Sequence, residues 1–235
     1  MALPKVVAPT YELELPSNGK KIKYRPFLVK EEKVLLIAMD SEDEKQITQA
    51  VVDVLKSCVS TRIKIEDLPS FDLEYLFLRV RAASVGEEIT INVRCQDDNE
   101  TQVAHTININ DIKVVKPKGH TDKIMITKTV GVIMKYPRLD HFVDIGLRNQ
   151  TDMDGLDIIV NSIDQIFEDD EVTEAKECTT KELKEFIESL TQRQFNKVSK
   201  FFETMPKLQH TFDVVNPNTK KSSTYTLEGL QSFFA

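Results

Sequence analysis

The chain has 235 residues, enough for one or two domains and for a core that removes about 70% of the unfolded surface from water. At 40% hydrophobic and 29% charged residues, disorder throughout is excluded. A net charge of −7 supplies no overall basic field for phosphates, which argues against nucleic acid as a partner.

The N-terminus, Met1-Ala-Leu-Pro-Lys5, carries no signal-peptide core. Tyr11, Leu13 and Leu15 then alternate with Glu12 and Glu14, the period of a half-buried strand. Pro16-Ser-Asn-Gly19 predicts a turn, and Ile22 and Tyr24 a return strand that Pro26 limits. A short helix is expected from Lys30 to Met39. Its run Val34–Met39 is the longest unbroken apolar stretch, far below the ~20 residues that span a bilayer, so no membrane partner is expected.

Ser41 and Glu44 have capping-box spacing. Behind them Ile47, Ala50, Val51, Val54, Leu55 and Cys58 form one apolar helical stripe. Cys58 completes that stripe as a packed thiol. The three cysteines, Cys58, Cys95 and Cys178, read as free thiols in a reducing compartment. After a cap at Ser70, residues from Phe71 to Ala83 leave little polar face, which predicts a central buried helix ended by Gly86.

A second hairpin is expected from Ile89, Ile91, Val93 and Cys95, through a polar tip, to Val103, His105, Ile107 and Ile109. Residues 112–128 hold five lysines and read as a basic loop or linker. Ile124 to Met134 alternate again. Leu156, Ile159, Val160, Ile163, Ile166 and Phe167 then have helical spacing. Thr179 with Glu182, and Thr191 with Gln194, are capping boxes for further helical segments. A last hairpin joins Phe212 and Val214 to Tyr225 and Leu227, before the apolar tail Phe233-Phe234.

The expected fold class is α+β. Short β-hairpins with a buried helix make the N-terminal half, and a mainly helical C-terminal half ends in a hairpin. The expected division is an α+β domain at 1–120, a strand plus mainly helical region at 121–208, and a hairpin with apolar tail at 209–235.

Motifs for chemistry are sparse. Cys95 and His105 share a predicted face, but Cys95 is followed by Gln-Asp-Asp-Asn and lacks the second cysteine of a zinc knuckle. Asp152, Asp154 and Asp157 around Gly155 fail an EF-hand loop at both ends, with Gln150 and Asn161 where carboxylates are needed. Seven glycines form no phosphate loop. His141 and His210 are isolated. No catalytic, metal or cofactor site is read, and no cofactor is expected.

Charge and aromatic density point instead to protein partners. Between Glu168 and Glu188, nine acidic residues stand against three lysines. Lysines at 113, 116, 118, 123 and 128, and Lys20, Lys21, Lys23 and Arg25, form basic clusters. Polarised docking to oppositely charged partners is one reading, and solvated surface the other. The stripe Phe195, Val198, Phe201, Phe202 and Met205 is the candidate docking face, with Glu168, Asp169, Asp170 and Glu171 as its charged rim. Core packing is the alternative for that stripe.

Two stretches carry a family likeness. Pro9-Thr-Tyr-Glu-Leu-Glu-Leu-Pro-Ser-Asn-Gly19 with Tyr24-Arg-Pro-Phe-Leu-Val-Lys-Glu-Glu32, and Leu68 through Gly86, resemble the baseplate-hub proteins of T-even-type tailed phages. The resemblance implies a role in assembling the central hub of a contractile tail, in the infected cell's cytoplasm or in the virion baseplate. It carries no catalytic residues. It implies a non-enzymatic, chaperone-like assembly factor that binds hub or tape-measure proteins, in a homo- or hetero-oligomer. The alternative is a permanent structural subunit. A hydrolase or metalloenzyme with scattered site residues is the reading from a different class.

Overall fold

The computed structural model describes residues 6–138 and 154–229. They divide between a first unit, Met1–Val115 with Lys207–Ala235, and a second, Lys116–Pro206. His141, Asp152 and the Phe233-Phe234 tail lie outside the described residues.

The first unit opens with β1 (Tyr11–Glu14) and β2 (Lys21–Tyr24), antiparallel with Tyr11 opposite Tyr24. Gly19, at φ 68°, makes the turn that a side chain would strain. Two helices follow, α1 (Val29–Asp40) and α2 (Glu44–Cys58). Asp43 caps α2, accepting from the amides of Lys45 and Gln46. α3 (Ser70–Val85) buries Phe71, Leu73, Leu76, Phe77, Leu78 and Val80, a helix enclosed on most sides. The buried Asp72 in its first turn accepts from the Ser17 amide at 3.0 Å and from the Ser17 hydroxyl. This fixes the β1–β2 turn to α3.

β3 (Glu88–Arg94) pairs with β4 (Gln102–Asn108), and β5 (Lys113–Val115) pairs with β10 (Lys207–Val215), which pairs with β11 (Ser222–Glu228). The lysine-rich stretch is therefore not a plain linker, because β5 and β6 are built from it. Ile89, Ile91, Val93, Ile107, Ile109, Ile112 and Leu208 share one core with Leu78. The hairpin tips are tied by the buried Asn216, whose amide donates to Asp97 and Asp98 at 2.9 Å each.

The second unit is a four-stranded antiparallel sheet, ordered β6 (Lys123–Met125), β7 (Val130–Met134), β8 (Ile163–Glu168), β9 (Glu171–Glu174). With it go α4 (Asp154–Asn161), α5 (Thr180–Glu188) and α6 (Gln192–Thr204). Both threonine capping boxes form, so α5 and α6 are separate helices.

The expectation of a mainly helical C-terminal half is overturned. Six strands, β6 to β11, lie beyond residue 120 among the described residues. The helix expected over Leu156–Phe167 stops at Asn161, where the Ser162 amide bonds to the carbonyls of Ile158 and Ile159. The reason is a β-bulge. Ile133 pairs with Gln165 but Met134 with Ile163, which leaves Asp164 as the extra residue. Ile163 and Ile166 thus reach one face of the sheet while three apart, imitating helical spacing. Phe167 covers the opposite face, over Gly131.

His120 sits inside this unit, stacked on Tyr136 at 5.6 Å and tilted against Phe201 at 5.0 Å. Its Nδ1 lies 3.0 Å from the Thr204 hydroxyl, and its Nε2 3.1 Å from that of Tyr136. Thr204 already donates to the Lys200 carbonyl. It can therefore only accept, which places the neutral proton on Nδ1. Burial holds the His120 pKa down, Lys116 adding to the effect and Asp122 opposing it. Above the unfolded value, about 6.5, this group adds no pH dependence. As pH falls from there to the folded value, stability is lost. Melting temperature from pH 7 to 5 should fall more in the wild type than in His120→Asn, and the His120 ring proton should titrate below the ordinary histidine value. Equal pH slopes in both proteins would remove His120 as the cause.

Candidate partner-docking surface

Burial in α1 is inverted. Its fully buried positions are Glu31 and Ala38, while Val29, Val34, Leu36, Ile37 and Met39 are exposed. Val29 is 75% accessible, Ile37 70% and Leu36 56%, values normal for lysines and not for branched apolar side chains. At 100° per residue these five spread round the outward arc, interleaved with Lys30, Glu32, Lys33 and Asp40. Five exposed apolar side chains on one short helix are the kind of surface that a partner covers. Among the described residues the main element packed against α1 is α2.

The inward side is held by charge. Arg25, just past β2, grips Glu31 with two parallel bonds, Nη1 to Oε2 at 2.9 Å and Nη2 to Oε1 at 2.8 Å. The same guanidinium donates to the carbonyls of Pro26 (2.8 Å) and Ser57 (2.9 Å). Ser57 lies in the last turn of α2, where a cation also meets the negative end of the helix dipole. Glu31 accepts from the Leu28 amide at 2.6 Å, closing the first turn of α1. The Arg25 hydrogen bonds hold the Glu31 carboxyl below its usual range. Cys58 lies 3.8 Å from Arg25 Nη1, and burial pushes its thiol up to about 11, so it is a packed group and not a nucleophile. The result is a helix pinned by its acid with five of its apolar residues facing water.

Residues 8–235 match the family described as T4 bacteriophage base plate protein. The chain belongs to that family. No curated protein and no solved structure matches it. The family match spans α1 and both units, so the exposed helix belongs to the baseplate protein itself.

The residues singled out from the sequence fall as follows in this baseplate protein. Val198, Phe201 and Met205 are buried, while Phe195 and Phe202 are half-buried against the same core. Phe202 meets Phe201 edge-on at 5.2 Å. Thus the five do not form one exposed face. Glu168, Asp169, Asp170 and Glu171 come together at the exposed β8–β9 turn, with Asp169 at φ 49°. His105 stacks on Phe212 at 4.3 Å and Cys95 is buried. Among the described residues no three His, Cys, Asp or Glu side chains are grouped to hold a metal, and no helix is long and apolar enough to cross a membrane. Aromatic density drew attention to α6, yet the exposed surface is aliphatic. The signal for α1 was its unbroken apolar run.

Proposed function

We propose that this baseplate protein is a non-enzymatic assembly factor of the baseplate hub. It binds an apolar helix of a hub or tape-measure protein in the infected cell's cytoplasm and shields it until incorporation. The observation that carries this reading is α1, a surface helix that exposes Val29, Val34, Leu36, Ile37 and Met39. Covering it with an apolar partner helix removes both surfaces from water, the ordinary mode of helix docking. The acidic turn at Glu168–Glu171 belongs to the second unit and is a separate charged surface for a partner, of the kind that acts on on-rate.

The family membership equally supports a permanent baseplate subunit, and the composition of the particle separates the two. Quantitative mass spectrometry of mature particles beside infected-cell lysate should find the protein in lysate and absent from particles. A fixed copy number per tail would establish the structural subunit instead.

The docking face has its own test. Leu36→Glu with Ile37→Glu should leave the melting temperature unchanged or slightly raised, because both side chains already face water, and should stop baseplate completion in infected cells. A loss of stability of more than about 1 kcal/mol would mean that these residues are packed, and would sink the docking role.

A further inference from the structure

β3 and β4 form a sheet of two strands, so each keeps one edge unpaired among the described residues. At the ends of their ladder the Cys95 amide donates to the Thr101 carbonyl at 2.8 Å, and the Ile109 amide to the Glu87 carbonyl at 2.7 Å. Bonded pairs alternate along an antiparallel ladder. The backbone groups of Ile89, Ile91 and Val93 therefore turn to β4, and those of Glu88, Thr90, Asn92 and Arg94 turn away from it. All four of the latter are exposed residues. The Arg94 carbonyl accepts from the Tyr225 hydroxyl at 2.9 Å. The amides and carbonyls of Thr90 and Asn92 have no partner among the described residues.

This edge is complementary to itself. Turned about a two-fold axis at Ile91, a second copy of β3 runs antiparallel to the first, and each outward residue meets an outward residue. Thr90 then stands opposite Asn92, and Glu88 opposite Arg94 at both ends. Residues opposite one another across such a pair lie about 5 Å apart, near enough for the charges to pair. Within the chain, Glu88 and Arg94 have no ion-pair partner among the described residues. The other edge strands lack this match. β1, β9 and β11 carry acidic charge alone, β2, β5 and β6 basic charge alone, and β4 no lysine, arginine or carboxylate. A copy laid on any of them meets no opposite charge.

We propose that two copies of this protein associate edge to edge through β3, joining their hairpins into one antiparallel sheet of four strands. The row of outward amides and carbonyls selects an extended backbone as the occupant, by strand addition. The opposite charges at the two ends of β3 select the same strand, reversed, which is the symmetry of an isologous contact. Ile89, Ile91 and Val93 stay in their own core, so neither copy has to open. Little apolar surface is gained, and the association is therefore dependent on concentration. The proposal does not rest on the docking role of α1.

The test is sedimentation velocity of the full chain over a concentration series. The wild type should pass from monomer to dimer. Glu88→Arg alone, and Arg94→Glu alone, should each weaken association about tenfold or more, because each turns both attractions into repulsions. An equal mixture of these two variants should associate again, since unlike copies then set arginine against glutamate at both ends. Glu88→Arg with Arg94→Glu in one chain should dimerise as the wild type does. Hydrogen exchange at the Thr90 and Asn92 amides should slow as concentration rises, and that at Ala104 and Thr106, on the outward edge of β4, should not. A wild type that stays monomeric at every concentration, single reversals that dimerise like the wild type, or a mixture that fails to recover would each overturn the proposal. Protection at Ala104 and Thr106 in place of Thr90 and Asn92 would move the contact to β4 and overturn it as well.

Discussion

Gly131→Val should be among the most damaging single substitutions in the second unit. Gly131 is buried in β7, between β6 and β8. A Cβ there would stand 2.3 Å from Phe167 Cζ and 2.7 Å from the Ile124 carbonyl oxygen. The first contact is a ring that can tilt only by leaving its place beside Lys123, whose ammonium lies 4.6 Å from the ring centroid. The second is backbone of the paired strand and cannot yield without breaking the β6–β7 ladder. Overpacking a closed core costs about 1–3 kcal/mol. With two separate clashes, Gly131→Ala belongs at the top of that range, and valine beyond it. Hydrogen exchange at the β7 and β8 amides should accelerate accordingly. Phe167→Ala introduced with Gly131→Ala should restore part of the loss, and only part, since the Ile124 carbonyl remains. Full restoration, or a Gly131→Ala protein that melts like the wild type, would show that β6 does not approach β7 as closely as described.

That contact also shows why the second unit was hard to read from sequence. Ile163, Ile166 and Phe167 continue the helical spacing of Leu156, Ile159 and Val160 without a break. Periodicity alone cannot tell a bulged strand from a helix when the bulge adds one residue between two inward positions. The decision is made by tertiary structure, because β7 offers an open edge and a β-branched and aromatic segment fills it. By contrast, the 11–24 and 89–109 alternations needed no such help, and neither did the threonine caps of α5 and α6, since their signals are local. The docking surface was legible only in part. The run Val34–Met39 is plain in the sequence, but its exposure depends on Arg25 reaching Glu31 and on the carbonyl of Ser57, more than thirty residues from Arg25 along the chain. Nothing in the spacing of α1 says which side the protein covers.

Arg25→Ala should unfold or detach α1 at a cost of about 3 kcal/mol, the lower end for breaking a buried ion pair by removing one partner. The Glu31 side chain is 8% exposed, and that of Arg25 26%. Removal of Arg25 strands a carboxylate in the protein and also leaves the Ser57 carbonyl without its donor. Little else holds the helix, since Ala38 is its only fully buried apolar residue. Replacement of both partners, Arg25→Met with Glu31→Leu, should recover much of the loss, because two apolar groups leave no charge unpaired. The pH dependence has a definite sign. The folded Glu31 pKa lies below its unfolded value, so the pair contributes fully above the unfolded value, about 4.3. The contribution is lost as pH falls from there through the folded value. Denaturant titrations of wild type and Arg25→Ala should therefore differ most near neutrality and converge on acidification. The two variants also separate anchoring from docking. Arg25→Ala should weaken partner binding through loss of helix α1, visible as lost helical ellipticity, whereas Leu36→Glu with Ile37→Glu should weaken it with ellipticity intact. If Arg25→Ala costs no more than about 0.5 kcal/mol, as an exposed pair would, α1 is held by something other than this clasp.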